Sequence, residues 1–124
     1  MAGVKLFRKA DQDLTPNERG GAFCSLINPT ISDAMGGGIG TFEDCAFEST
    51  VTCDEVLFIH EGEMTLRVGD DNYVAGPGDV LWIPKDTTLV YIADAKVTFF
   101  YAVFPATGSP SARQEIEYPT AGPS

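Results

Sequence analysis

Apolar and polar side chains alternate in short bursts from residue 21 to residue 105, and each burst ends near glycine, proline, asparagine or aspartate. A period of two puts successive side chains on opposite faces of an extended strand. The segments with that signature are "GAFCSLINP" (21–29), "GIGTFEDCAF" (38–47), "DEVLFIHEG" (54–62), "EMTLRVG" (63–69), "DNYVAG" (71–76), "DVLWIP" (79–84), "TLVYIA" (88–93) and "KVTFFYAVFP" (96–105). The pieces that join them, "EGE", "GDDN", "GPGD" and "PKDT", are turn chemistry. "RVGDDNYV" predicts a hairpin, because Gly69, Asp70, Asp71 and Asn72 tolerate the positive φ of tight turns. "LTPNERGG" (14–21) is either a helical turn or a loop, and "MGGGIG" (35–40) a flexible turn into a strand that begins near Ile39. Three units follow: an N-terminal segment (1–20), a β domain (21–105) and a Pro-, Ser-, Ala- and Gly-rich tail (106–124) that packs on a partner or stays mobile. About eight short antiparallel strands in one small domain mean a sandwich, a jelly roll or a closed barrel. Periodicity alone does not choose among them.

A hydrophobic fraction of 44% in 124 residues supports one core without disulfide staples. The balance of 8 Lys plus Arg against 18 Asp plus Glu gives a net charge of −10. It argues against nucleic acid and against anionic membrane surfaces, both of which are gripped mainly by Lys and Arg. A small anionic metabolite stays open. The 3 cysteines, Cys24, Cys45 and Cys53, are odd in number and lack CxxC spacing, which disfavours a disulfide framework or a zinc ribbon. No stretch has signal-peptide character or the roughly 20 apolar residues of a membrane span, so a cytoplasmic protein is expected.

Residues 38–105 resemble the cupin superfamily of small RmlC-like jelly-roll barrels. The first cupin motif, His-x-His followed by an acidic residue and an apolar strand, is matched by "STVTCDE" and "VLFIHEGE", with Glu55 in the acidic slot. The second motif, Pro-x-Gly-Asp, an apolar strand, Ile-Pro and a histidine, is matched by "GPGDVLWIPKDTTL". Within the superfamily the nearest resemblance is to ethanolamine-utilization EutQ-like proteins. It is carried by "FED" (42–44), the "DE" pair (54–55), "EGE" (61–63), "AGPGDVLWIPKDTTL" (75–89) and "FFYAVFP" (99–105). The extra N-terminal region of some members has no counterpart in the sequence. The resemblance implies an all-β cupin barrel, pairing into a homodimer through N-terminal strands, and a link to acetate kinase activity.

The motif's metal positions fall on Ser49, Val51, Glu55 and Leu89. A Zn, Fe or Mn site needs three or more converging imidazoles or carboxylates. One carboxylate does not hold a transition ion against water, so neither a metal nor any other cofactor is expected. The sole histidine, His60, falls on the strand face opposite Glu55, Leu57 and Ile59.

If Ser49 and Val51 face inward, counting by two adds Phe47, Cys45 and Glu43 to the same face. By the same logic Leu89 implies Tyr91, and Phe99, Tyr101 and Val103 share a face of the last strand. The expected cavity is apolar and aromatic, with Phe47, Ser49, Val51, Leu57, Trp82, Leu89, Tyr91, Phe99, Cys45 and Cys53 as its ligand-facing residues. Its catalytic candidates are Glu55, Glu43 and Tyr101. A desolvated Glu55 has a raised pKa suited to general acid/base work, unless a tyrosine or a backbone N–H simply satisfies it. With both glutamates inside, one stays protonated while the other acts as base. "MGGGIG" lacks the GK[ST] of a phosphate loop and leads into a strand, not a helix. Lys85 is the one cation near the second motif.

Three functions follow. One is a metal-independent enzyme (a lyase, an isomerase or an acyl-phosphate-handling activity) that uses Glu55 on a small molecule. Another is a non-catalytic ligand-binding or dimerisation module. The third, by resemblance alone, is an acetate-kinase-like activity. "GAFCSLINPTI" (21–31) is the expected dimer contact.

Overall fold

The computed structural model describes residues 3–16 and 20–106. The strands in chain order are β1 (Thr15–Pro16), β2 (Gly21–Ile27), β3 (Gly36–Phe42), β4 (Cys45–Thr50), β5 (Asp54–Glu61), β6 (Met64–Val68), β7 (Asp71–Ala75), β8 (Val80–Ile83), β9 (Thr88–Ala93) and β10 (Val97–Phe104). They form a six-stranded sheet, β1-β2-β3-β10-β5-β8, and a four-stranded sheet, β4-β9-β6-β7, with antiparallel neighbours throughout. The two sheets enclose one core.

The period-two reading holds best in β10. Val97, Phe99, Tyr101 and Val103 are buried, while Phe104 is exposed and the residues between are half-buried. In β5, Glu55, Leu57 and Ile59 face the core, and His60 lies exposed on the other face. The hairpin expected at residues 67–74 is β6–β7, and Gly69 carries its positive φ of 62°.

The segment 38–47 is not one strand. Phe42 ends β3 in the large sheet and Cys45 opens β4 in the small one, so the chain turns a corner at Glu43 and Asp44. Asp44 takes φ 52°, a left-handed conformation that aspartate tolerates better than most residues, and the Glu43 N–H donates to the Gly20 carbonyl at 2.8 Å. Nor is "MGGGIG" a flexible turn, since Gly36, Gly37 and Gly38 already belong to β3. Ring packing calls for a glycine further along that strand. A Cβ on Gly40 would stand 2.7 Å from Phe99 Cζ and 2.9 Å from Phe23 Cε1.

At the N-terminal end, a 3-10 turn (Lys9–Asp11) precedes β1, which pairs with β2 through Thr15 and Pro16. In place of the helical turn or loop considered for residues 14–21, Thr15 and Pro16 thus join the sheet; residues 17–19 lie outside the described residues. The segment expected at a dimer contact is largely β2, set between β1 and β3 with Phe23 buried. Ala106 is buried and its N–H donates to the Ala34 carbonyl at 2.7 Å, while residues 107–124 of the expected tail lie outside the described residues.

Candidate functional site

The second motif supplies geometry rather than ligands. The Gly76 N–H donates to Asp79 Oδ2 at 2.8 Å, closing the turn before β8. The Gly78 N–H reaches the Ile59 carbonyl at 2.8 Å, and the Ile59 N–H reaches the Asp79 carbonyl at 3.0 Å, so the turn delivers β8 in register onto β5. At the other end of β8, the Lys85 N–H donates to Asp54 Oδ1 at 2.9 Å. The Asp86 N–H donates to the Val51 carbonyl at 2.8 Å, and the Val51 N–H to the Thr87 carbonyl at 3.0 Å. These bonds tie the loop after β8 to the start of β5, beside Glu55.

Glu55 pairs across the sheet with Val103 on one side and Ile83 on the other. Its side chain turns into the core, and the residue is 4% exposed. The Tyr91 hydroxyl donates to Glu55 Oε1 at 3.0 Å. Tyr91 belongs to β9 in the small sheet and Glu55 to β5 in the large one, so this bond joins the two sheets through the interior. Burial pushes the Glu55 pKa up to about 7, and the Tyr91 hydrogen bond acts in the opposite direction.

Rings crowd the rest of the interior. Phe42 contacts Phe23, Phe47, Tyr91 and Phe99 at centroid distances of 5.7, 5.1, 5.7 and 4.8 Å. Phe47 lies 5.0 Å from Tyr91, and Phe23 lies 6.0 Å from Tyr101. The structure therefore brings Phe47, Ser49, Val51, Cys53, Glu55, Leu57, Leu89, Tyr91, Phe99 and Tyr101 into one buried interior. Sequence reasoning missed Phe23, Phe42 and Ile83. The signal for Phe42 was present: it shares a strand face with Gly40 and Gly38, the small residues that make room for rings.

Two expected site residues stand elsewhere. Glu43 is exposed at the β3–β4 corner, because that corner interrupts the alternation used to place it inside. Glu55 and Glu43 thus form no buried carboxylate pair. Trp82 is 61% exposed on the outer face, because the register that sets Ile83 opposite Glu55 sends its neighbour outward, opposite Val56. Cys45 is half-buried at the start of β4. Burial raises its thiol pKa, a backbone hydrogen bond at Glu43 lowers it, and the charge of Asp44 raises it; the net shift is upward and keeps the thiol protonated.

The donor set does not fit a transition metal. Ser49, Val51 and Leu89 sit buried where the motif's ligands would stand, offering one hydroxyl and two hydrocarbon chains beside the lone Glu55 carboxylate. Among the described residues no group of three or more His, Cys, Asp or Glu side chains converges.

Residues 4–109 match the family model for the ethanolamine utilisation protein EutQ. The chain belongs to the EutQ family. It is 30% identical over 81 residues to the acetate kinase EutQ of Escherichia coli K12, a match that covers 65% of this chain and 35% of that protein. The chain thus spans about a third of the length of that curated relative. The crystal structure of a putative ethanolamine utilization protein Q from Salmonella typhimurium LT2 superimposes with a TM-score of 0.78 at 23% identity, over 84% of this chain and 88% of that one. An RmlC-like cupin from Shewanella frigidimarina superimposes at 0.72 with 14% identity, over 86% of this chain and 95% of that one. At such identities the likeness concerns the fold, and it makes this EutQ-family chain a cupin barrel. Among the described residues no helix is long and apolar enough to cross a membrane.

Proposed function

We propose that this EutQ-family cupin is a metal-independent enzyme acting on a small metabolite, with Glu55 as its general acid and base. The observation that carries the reading is a carboxyl group sealed in the interior, with a pKa of about 7 and a tyrosine hydroxyl on one oxygen. A pKa near the working pH lets one group both take and return a proton. Tyr91 donates to Oε1, so the proton of the neutral acid belongs on Oε2. In the ionised form Oε2 takes a proton from a C–H next to a carbonyl, which leaves an enolate and makes Glu55 that neutral acid. Oε2 then returns the proton at a neighbouring atom, the balance of an isomerase step. The buried rings and aliphatic chains around Glu55 make an apolar setting, which suits a substrate with an apolar body.

The test is turnover on a panel of carbonyl and acyl metabolites, first sorted by native mass spectrometry for binding. Glu55→Gln keeps the shape and removes the base; it is expected to abolish turnover while the fold persists. Unchanged turnover in that variant removes Glu55 from the chemistry. A tightly held metabolite that no variant and no pH converts would make the barrel a binding module instead.

The name of the relative in Escherichia coli motivates a second reading, transfer of phosphate between ATP and acetate. One structural fact weighs against a local phosphate loop. Gly36–Gly40 pair with Val103–Phe99 of β10, and Gly37, Gly38 and Gly40 also pair with β2, so the glycine run is occupied by the sheet ladder. Formation of acetyl phosphate in a coupled acetate-plus-ATP assay with Mg²⁺ would support the second reading, and a clean negative would dismiss it for this chain.

A further inference from the structure

The N-terminal segment crosses the outer face of the six-stranded sheet and leaves a hollow of about 560 Å³ between itself and β3, β10 and β5. Small-molecule pockets measure roughly 300–1,000 Å³. The Gln12 side chain donates to the Phe7 carbonyl at 3.2 Å and folds the segment into a closed turn, with Phe7 and Leu14 lining the hollow from above.

The floor is graded in polarity. Across the three strands Ile39 pairs with Phe100 and Phe100 with Phe58, which makes an apolar row. Two residues along β10, Thr41 pairs with Thr98 and Thr98 with Glu61, which makes a polar one. The β10–β5 register shifts between these rows: Phe99 pairs with Ile59 and Thr98 with Glu61, so His60 is the extra residue of a bulge. Bulges re-aim the side chains they carry, and His60 lines the hollow beside the polar row. Lys96, two residues before Thr98, and Lys9, on the segment above, line it as well.

These are two of only 8 basic residues in a chain with 18 acids, and Glu61 is the one acid among the described residues of the lining. The hollow is thus locally cationic in a protein of net charge −10, a setting that favours an anion there over the rest of the surface. Threonine hydroxyls and lysine ammoniums donate to carboxylate oxygens, and phenylalanine rings take a flat apolar body edge-to-face or offset. We propose that the hollow binds a small aromatic carboxylate, its ring over Phe58 and Phe100 and its carboxylate at Thr41, Thr98 and the two lysines. It is a site separate from the barrel interior, because Glu55 points to the other face of the same sheet.

The probe is 2-naphthoate, titrated into the full-length chain and followed by proton NMR. His60 is the sole histidine and Trp82 the sole tryptophan, so each ring gives its own resolved signals. The His60 signals are expected to shift to saturation, while the indole signal of Trp82, exposed on β8 and outside the lining, stays in place. 2-Naphthamide keeps the rings and drops the charge, and acetate keeps the charge and drops the rings; each is expected to bind at least tenfold more weakly. Lys9→Gln combined with Lys96→Gln, both at exposed positions, is expected to raise the 2-naphthoate dissociation constant at least tenfold while far-UV circular dichroism stays native. His60 signals that do not move overturn the proposal, as do equal affinities for 2-naphthoate and 2-naphthamide or an unchanged constant in the double variant. A second copy of the chain seated over the hollow gives the first of these results, and sedimentation then shows the dimer.

Discussion

Tyr91 and Glu55 lie 36 positions apart and in different sheets, yet they share a buried hydrogen bond of 3.0 Å. The bond crosses the barrel interior and favours the charged carboxylate, while burial favours the neutral acid and prevails. That contest makes Glu55 the group through which both stability and any proton transfer respond to pH.

Stability falls as pH rises through the Glu55 transition. The folded-state pKa of about 7 stands above the unfolded value of 4.5, so between those values the folded chain holds a proton that the unfolded chain has released. The associated stability is fully present below the unfolded value and lost above the folded one. The shift corresponds to roughly 3 kcal/mol. Glu55→Gln is therefore expected to flatten the fall, gaining on wild type at pH 8 relative to pH 5. Parallel melting profiles of the two proteins against pH would contradict the raised pKa.

Tyr91→Phe keeps the ring among Phe42 and Phe47 and deletes the hydroxyl. Because that hydroxyl holds the Glu55 pKa down, its loss raises the value further above 7. The carbon-13 shift of the labelled Glu55 carboxyl, followed by NMR across pH, is expected to titrate later in the variant. The lost hydrogen bond costs about 1.5–3 kcal/mol where Glu55 is charged.

Glu43→Gln separates the two glutamates. At the exposed corner it is expected to change stability by less than about 0.5 kcal/mol and to leave turnover intact. A loss comparable to that of Glu55→Gln would return Glu43 to the site.

Gly40→Ala inserts a methyl group where Phe99 and Phe23 leave no room. Both rings must shift, at a cost of about 1–3 kcal/mol. Urea denaturation followed by circular dichroism reads this directly, and an unchanged midpoint would contradict the packing.

Chelators are expected to leave both melting temperature and turnover unchanged, and added Zn²⁺, Mn²⁺ or Fe²⁺ to stabilise the fold by no measurable amount. The reason is the donor set: a hydroxyl, a carboxylate and two hydrocarbon chains line the positions in question. Calorimetric titration with each ion gives the check.

Local pattern determined much of this protein. The alternation of β10 and β5 and the placing of His60 opposite Glu55 follow from a period of two, because pleating forces neighbouring side chains to opposite faces. The hairpin at Gly69 follows from its turn residues, and the inward Glu55 from the cupin motif. The motif spacing was enough to identify a cupin and to show that its imidazoles are missing. Tertiary structure decided what depends on register and on corners. The left-handed Asp44 turns the chain between sheets and expels Glu43, and the Glu55–Ile83 pairing sends Trp82 outward. The partnership of Tyr91 with Glu55 arises only when two sheets close on each other, since no local rule relates the phase of one strand to that of another across a core.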